Sequence, residues 1–364
     1  MKVLGLASYP VEAASTRYRL VQFVEPLAER GIELTVRPFL DSRTFAHLYD
    51  RAALPQTIVG LTIAGLRRLW NAPDTEGFDV LLVQREAMLY GPPLIEWIAT
   101  KWKKLPMILD LDDATYIPYN SPTYGKLANA LKSFGKTDKL IDWSKTVSCG
   151  NPVVAAYVSA RGTPTEIIPT VVDTEKFCPP ENKTMSADPV IGWIGTHSTF
   201  PFLQTIFPVL QDLAGKYRFE LKIVGAGVRE INLQGVRIKN LQWNLEREIE
   251  DFQTLDIGLY PIIEEMQSGY AAGKSGFKAI QYMSVGIPYV VSPVGVCSEI
   301  GIAGETHLVA TSPSEWYDAL ERLLKDPDLR RKMGSAGRNF ALEHFTVRKQ
   351  ADKLSKILFD AARS

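Results

Sequence analysis

The chain has 364 residues, 46% of them hydrophobic and 23% charged, and its 41 Lys and Arg balance 41 Asp and Glu to a formal net charge of zero. At roughly 150 residues per domain this length predicts two domains, each long enough to bury its own core, and the lack of a basic excess argues against nucleic acid as a partner. Three scattered cysteines (Cys149, Cys178 and Cys297) and four histidines give no zinc spacing and fit a reducing compartment. No apolar run reaches the roughly 18 residues of a spanning helix. The opening MKVLGLASYP reads as a first strand rather than a signal peptide. The expected location is cytoplasmic.

Taken in chain order, residues 2–7 are predicted as a strand. The apolar spacing of Leu20, Phe23, Val24 and Leu27 predicts a helix over 16–30, closed by Gly31. Strands are expected at 32–38, 80–84, 107–111 and 146–148, an alternation that implies a parallel sheet covered by helices. Pro179-Pro180 and the polar, aperiodic stretch 181–188 then read as a linker. The pattern restarts with strands at 190–194, 219–224, 257–260 and 289–292, helices at 202–213 and about 275–284, and a helical segment from 326 to 362. The expected division is 1–175, a linker at 176–188, 189–340, and a last helical segment at 341–364.

The densest constellation runs from Gly269 through Gly273-Lys274-Ser275-Gly276-Phe277-Lys278 to Gln281 and Gly286-Ile287-Pro288. Glycines at a helix start let a ligand reach free N–H groups that carry partial positive charge, which suits a phosphate. Lys274, Lys278 and Gln281 stand at i, i+4 and i+7 and are expected on one helix face, where they suit a nucleoside diphosphate and its ribose. The bland alternative is a solvated face of an ordinary surface helix. A phosphate loop of the Walker kind is a poor fit, because only three residues separate Gly269 from Gly273 where four are needed. Gly225-Ala226-Gly227 lacks the third glycine of a dinucleotide fingerprint and reads as a tight turn.

In the first half, Asp110, Asp112 and Asp113 follow a strand, where α/β folds place their sites. They suit either an Asp-x-Asp metal site or the orientation and deprotonation of an acceptor hydroxyl, with helix capping as the bland alternative. Arg17 and Arg19 are expected at a helix start, where cations oppose the dipole unless an anion answers them; otherwise they point to water. Arg85 and Glu86 end a strand, either lining the site or pairing with each other. Glu264 and Glu265 read as solvated loop acids. His197, between Gly195 and Ser198, is a candidate phosphate or sugar contact. The basic and aromatic stretches 61–70 and 97–104 suit peripheral contact with an anionic bilayer, with a plain amphipathic surface helix as the alternative.

Several segments in the right order together resemble the group 1 glycosyltransferases of family 4, retaining enzymes of the GT-B fold. They are Ser15–Arg19, Ile167–Phe177, Asp256–Pro261 and Phe277–Val291. The resemblance implies an α/β protein with two Rossmann-like domains facing a cleft. The C-terminal domain would hold the nucleotide-sugar donor and the N-terminal one the acceptor, and the last helix would return to the first domain. It implies transfer of a hexosyl-type sugar to a glycan or lipid-linked glycan with retention, without a cofactor or metal, and a place in polysaccharide biosynthesis. The family's paired glutamates fall at Gly273 and Gln281, and its Arg and Lys after the first strand of the second domain are replaced by Gly195–Thr199. Lys274 is therefore expected to neutralise the diphosphate, aided by Lys278, His197 and the N–H groups around Gly273, Ser275 and Gly276, with Gln281 on the ribose. Asp112 falls where the family often carries a functional His, so Asp112 or Asp113 is expected to serve the acceptor, with Asp110, Arg17, Arg19 and Arg85 beside it. A GT-B nucleotide-sugar epimerase and a catalytically silent nucleotide-sugar binder remain as alternatives.

Overall fold

The computed structural model describes residues 1–72, 74–118, 132–133, 135–181, 188–263 and 273–363. The short apolar runs form two six-stranded sheets, and every strand pairing among the described residues is parallel. The first sheet contains β1 (Lys2–Ala7), β2 (Glu33–Pro38), β3 (Val80–Gln84), β4 (Met107–Leu111), β5 (Thr146–Cys149) and β6 (Thr165–Ile167), in the order β2-β1-β3-β4-β5-β6. The second contains β7 (Val190–Ile194), β8 (Glu220–Val224), β9 (Arg237–Leu241), β10 (Ile257–Tyr260), β11 (Tyr289–Val291) and β12 (His307–Val309), in the order β12-β11-β10-β7-β8-β9. Helices cover such sheets on both faces, so central strands are buried throughout; β3 and β4 have no exposed residue.

Each sheet reverses its strand order once, between β1 and β3 in the first and between β7 and β10 in the second. At such a switch point the connections leave in opposite directions and open a crevice at the carboxyl ends of the strands. Contacts divide the chain into one unit of residues 1–170 with 347–364 and a second of residues 171–346. The helix Val347–Ala362 packs on the first unit, where Asp352 pairs with Arg30 at 2.7 Å and Lys353 donates to the Ile167 carbonyl at 2.9 Å. Residues 171–178 join the second unit because Arg338 donates to the carbonyls of Thr174 and Phe177, both at 2.8 Å.

Three expectations about helices change. The segment 16–30 is broken into Ala14–Arg19, a 3-10 turn at Val21–Phe23, and Val24–Ala28. The segment 202–213 splits into Phe200–Gln204 and Phe207–Ala214, the second carrying Pro208 in its first turn, where a proline is tolerated. The helix expected from 275 starts at Phe277.

Under the second switch point the packing is set by two glycines. Gly192 and Gly258 are register partners on β7 and β10. Tyr282, from the helix Phe277–Ser284, lies over Gly258 and donates its hydroxyl to the Leu259 carbonyl at 3.0 Å and the Gly192 carbonyl at 3.4 Å. A Cβ on Gly258 would stand 2.7 Å from the Tyr282 ring. A Gly258→Ala variant is expected to lose about 1–3 kcal/mol of stability in urea denaturation, because a ring held at both ends cannot yield.

Candidate functional site

In the first unit the carboxyl ends of β1, β3, β4 and β5 converge on a chain of charges. Arg19 is buried, and all its donors are used: Nε and Nη2 on the Asp110 carboxylate, Nη1 on the Ile168 carbonyl (2.6 Å) and Thr170 Oγ1 (3.4 Å), Nη2 also on Ser148 Oγ (3.1 Å). Burial alone would lower the Arg19 pKa, but Asp110 outweighs it and raises it. Neither Arg19 nor Asp110 is left to meet a ligand. The dipole argument for an anion also falls, since Arg17 and Arg19 stand in the last turn of their helix, where cations are favourable. Arg17 instead donates to the carbonyls of Val11 and Glu12, both at 3.0 Å.

Two residues beyond Asp110, the buried Asp112 receives a bidentate pair from Arg85, with Nε to Oδ1 and Nη2 to Oδ2 both at 2.6 Å. Arg85 Nη2 also reaches Asp113 Oδ2 at 3.1 Å. Arg85 does not pair with Glu86, which instead binds Lys136 at 2.7 Å. Arg85 has a φ of 62°, a conformation that costs a non-glycine residue about 1 kcal/mol or more and recurs at functional sites. Burial alone would raise the Asp112 carboxyl, but Arg85 and then Arg19 hold it below the ordinary carboxylate range. Asp110 and Asp112 thus spend their oxygens on arginines, which disfavours the metal-ligand alternative. Cys149, at the end of β5, is pushed up to about 12 by burial and Asp110, so its thiol is no nucleophile near neutral pH. Gln84 was not singled out from the sequence. It is fully buried and donates Nε2 to Asp112 at 3.3 Å, while its Oε1 has no partner. A glutamine ending the apolar run Val80–Gln84 was the available signal.

In the second unit two loops meet at the switch point. Gly195–Thr199 follows β7 and folds on itself: the Thr196 N–H donates to Thr199 Oγ1 at 3.1 Å, and the Thr199 N–H to the Thr196 carbonyl at 2.9 Å. Gly225 and Gly227, with φ of 83° and 76°, pack their turn against it, and a Cβ on Gly227 would lie 2.7 Å from His197 Cβ. His197 is exposed. Gly273–Gly276 precedes the helix Phe277–Ser284, and Lys274 Nζ lies 5.7 Å from the Phe202 ring centre, just beyond the first loop. Lys274 is therefore brought to the helix that follows Gly195–Thr199.

The shared face of Lys274, Lys278 and Gln281 is corrected. Lys274 and Ser275 precede the helix, whose cap residue Gly276 has a φ of 66° and packs on Ile300. Gly276 thus serves the left-handed turn and close packing. Gln281 is fully buried; its Oε1 accepts from Lys278 Nζ at 2.9 Å, and among the described residues its Nε2 has no partner. Gly269, Glu264 and Glu265 lie outside the described residues. Arg338, also not singled out, holds the far end of this helix by donating to the Ser284 carbonyl at 2.7 Å.

Residues 188–326 match the sequence model of the family described as Glycosyl transferases group 1, a match confined to the second unit. A stretch of 122 residues is 32% identical to D-inositol 3-phosphate glycosyltransferase of Corynebacterium diphtheriae, covering 32% of this chain and 26% of that protein. The matched stretch thus spans about a quarter of that relative. Over 99% of both chains the fold is similar to sucrose-phosphate synthase from Thermosynechococcus elongatus, with 16% identity and a TM-score of 0.68. Anabaena HepE in complex with UDP-glucose is similar over 99% of this chain and 100% of its own, with 14% identity and a TM-score of 0.67. The architecture is GT-B.

The Asp112–Arg85 pair gives a measurable pH dependence. A carboxyl lowered in the folded state contributes stability above its ordinary value of 3.8 and loses it as the pH falls through the lowered value. Asp112→Asn is expected to cost about 3 kcal/mol near neutral pH, since it leaves Arg85 uncompensated. In urea denaturation the gap to the unmodified protein should narrow as the pH is taken below the ordinary carboxylate range.

Proposed function

We propose that this chain transfers a sugar from a nucleoside-diphosphate donor to an acceptor hydroxyl with retention at the anomeric carbon. The observation that carries this reading is the group 1 glycosyltransferase match at 188–326, on the unit where Lys274 stands against Phe202, in the helix that follows the Gly195–Thr199 loop. The UDP-glucose complex of the similarly folded HepE supports a nucleotide-sugar donor. Retention rests on the resemblance of the sequence to family 4.

On this reading the diphosphate lies against Gly273–Gly276 and the loop after β7. As the bond from anomeric carbon to phosphate oxygen breaks, negative charge grows on the leaving diphosphate. Lys274 and nearby backbone N–H groups meet that charge, and no metal is assigned to the step. Gln281 acts through Lys278, whose ammonium it holds, rather than on the ribose itself. In the first unit Asp113 is the better candidate to accept the acceptor's proton, because Asp112 is locked by Arg85 and weakly basic.

A lipid-linked glycan is the proposed acceptor class, reached from a peripheral position on the inner face of the membrane. No helix among the described residues is long and apolar enough to cross a membrane. The helix Leu54–Trp70, however, leaves Leu66 65% and Trp70 87% exposed beside Arg67. Exposed apolar and basic side chains together suit an anionic bilayer surface.

Lys274→Ala is expected to lower kcat by about 100-fold or more in a transfer assay, as removal of a group that stabilises transition-state charge does. It should also abolish the thermal stabilisation given by the matching nucleoside diphosphate without added metal. Undiminished turnover would remove the assignment. Product formed from donor alone would favour the epimerase, and nucleotide binding without turnover across a screen of acceptors would favour the silent binder. Sedimentation with anionic vesicles, reduced by Trp70→Ser, checks the membrane position.

A further inference from the structure

The first unit contains a cavity of about 310 Å³ that the proposed transfer does not use. It lies between one face of the first sheet and the helix Leu54–Trp70. Leu4, Leu6, Leu81, Ile95 and Ala99 line it, and Arg68 projects among them. Its size falls at the small end of ligand sites, and its lining is largely apolar, as in such sites.

Arg68 is the feature that asks for a ligand. It is 8% exposed, and among the described residues no carboxylate lies within ion-pair distance of it. Its two hydrogen bonds both leave from Nη2, to the Arg37 carbonyl at 3.0 Å and the Ala7 carbonyl at 3.4 Å. Its guanidinium also lies over the Phe39 ring, 5.9 Å from the ring centre. A buried guanidinium held only by carbonyls and a ring face is costly, because neither neutralises its charge as a carboxylate would. Burial pushes it down to about 10, with Glu96 the acid that most opposes this. Glu96 is itself engaged, accepting from the Ala87 N–H at 2.8 Å. Every other cavity-lining charge is also accounted for. Arg37 pairs with Asp74 at 2.7 Å, Arg67 donates to the Phe39 carbonyl at 2.8 Å, and Asp41 accepts from the Thr44 N–H at 2.8 Å. Among the described residues lining the cavity, Asp41 is the one acid, against the three arginines Arg37, Arg67 and Arg68.

We propose that this cavity binds a small amphiphile with one anionic head, a carboxylate or phosphate monoester on an unbranched apolar tail, the head on Arg68 and the tail among Leu4, Leu6 and Leu81. The planar guanidinium accepts either head through paired hydrogen bonds. The tail would bury the apolar side chains that line the cavity.

The test is calorimetric titration of the full chain with decanoate and decyl phosphate, with decanol and inorganic phosphate as controls, all below micelle formation. Both amphiphiles are expected to bind one per chain, decanol more weakly, and inorganic phosphate not at all. Arg68→Gln should weaken decanoate and decyl phosphate about tenfold or more while leaving decanol unchanged. Ala72→Leu, which fills the cavity from its lining, should remove all binding. Trp70→Ser, on the exposed face of the same helix, should change nothing. Failure of the unmodified protein to bind either amphiphile overturns the proposal, as does unchanged decanoate affinity in both Arg68→Gln and Ala72→Leu. Loss in Trp70→Ser alone would place binding on the outer surface and overturn it equally. Far-ultraviolet circular dichroism on each variant establishes that it is folded, and Ala72→Leu carries the test if Arg68→Gln is not.

Discussion

The first unit is organised around the Arg19 guanidinium. A charge buried this deeply costs several kcal/mol unless its field and all its donors are matched. Asp110 supplies the charge, and Ser148, Ile168 and Thr170 supply the remaining acceptors. Those partners come from β4, from β5 and from the segment after β6. One side chain therefore gathers the ends of three chain segments at the carboxyl edge of the sheet. The Arg85 N–H donates to the Asp110 carbonyl at 2.9 Å, so the turn that aims Arg85 at Asp112 hangs from the same residue. Without Arg19, Asp110 would be an uncompensated buried carboxylate, and the edge that carries Asp112 and Asp113 would lose its anchor.

The second unit meets the same architectural demand by shape rather than charge. A helix that follows β10 must lie close enough to place Lys274 against Phe202, in the helix that follows β7. Gly258 on β10 leaves the space that Tyr282 fills, and its register partner Gly192 makes room for Leu255. Gly334 and Gly337 do the same on the other side, where a Cβ on Gly337 would already stand 3.1 Å from Met283. The helix is thus clasped between a sheet and the helix Pro327–His344, with Arg338 on its last carbonyl. Close packing of this kind is stiff, which suits a group that must be in place before charge develops.

These two solutions explain what could be read from the residues and what could not. Strands such as Val80–Gln84, Met107–Leu111 and Val190–Ile194 were legible to the residue, because strands inside a covered parallel sheet are apolar throughout. Arg237–Leu241 was missed because an edge strand keeps half of its side chains in solvent and carries charge. Thr165–Ile167 and His307–Val309 are only three residues long and leave no periodicity to detect. Site residues fared worse. A buried, paired Arg19 has the same letter as a solvated arginine, and only tertiary structure distinguishes them. Gln281 was read as facing a ligand because helical spacing assigns faces without knowing that the sheet covers one side of the helix and Pro327–His344 the other. The start of that helix was misjudged because Gly276 adopts a left-handed turn, which no periodicity reveals.

The charge chain in the first unit constrains how protons move in the proposed transfer. Each unit by which a carboxyl is lowered makes its carboxylate tenfold less able to take a proton, about 1.4 kcal/mol. Asp112 is lowered and bound at both oxygens, so it cannot accept a proton without breaking a bidentate pair. Its service is to fix Arg85, and through Arg85 to orient Asp113, whose Oδ2 receives the third of those bonds. Arg85 thus donates to both acids that follow β4. In the proposed transfer Asp112 would therefore serve position rather than proton transfer, and charge growing on the leaving diphosphate would be met by Lys274 and nearby N–H groups.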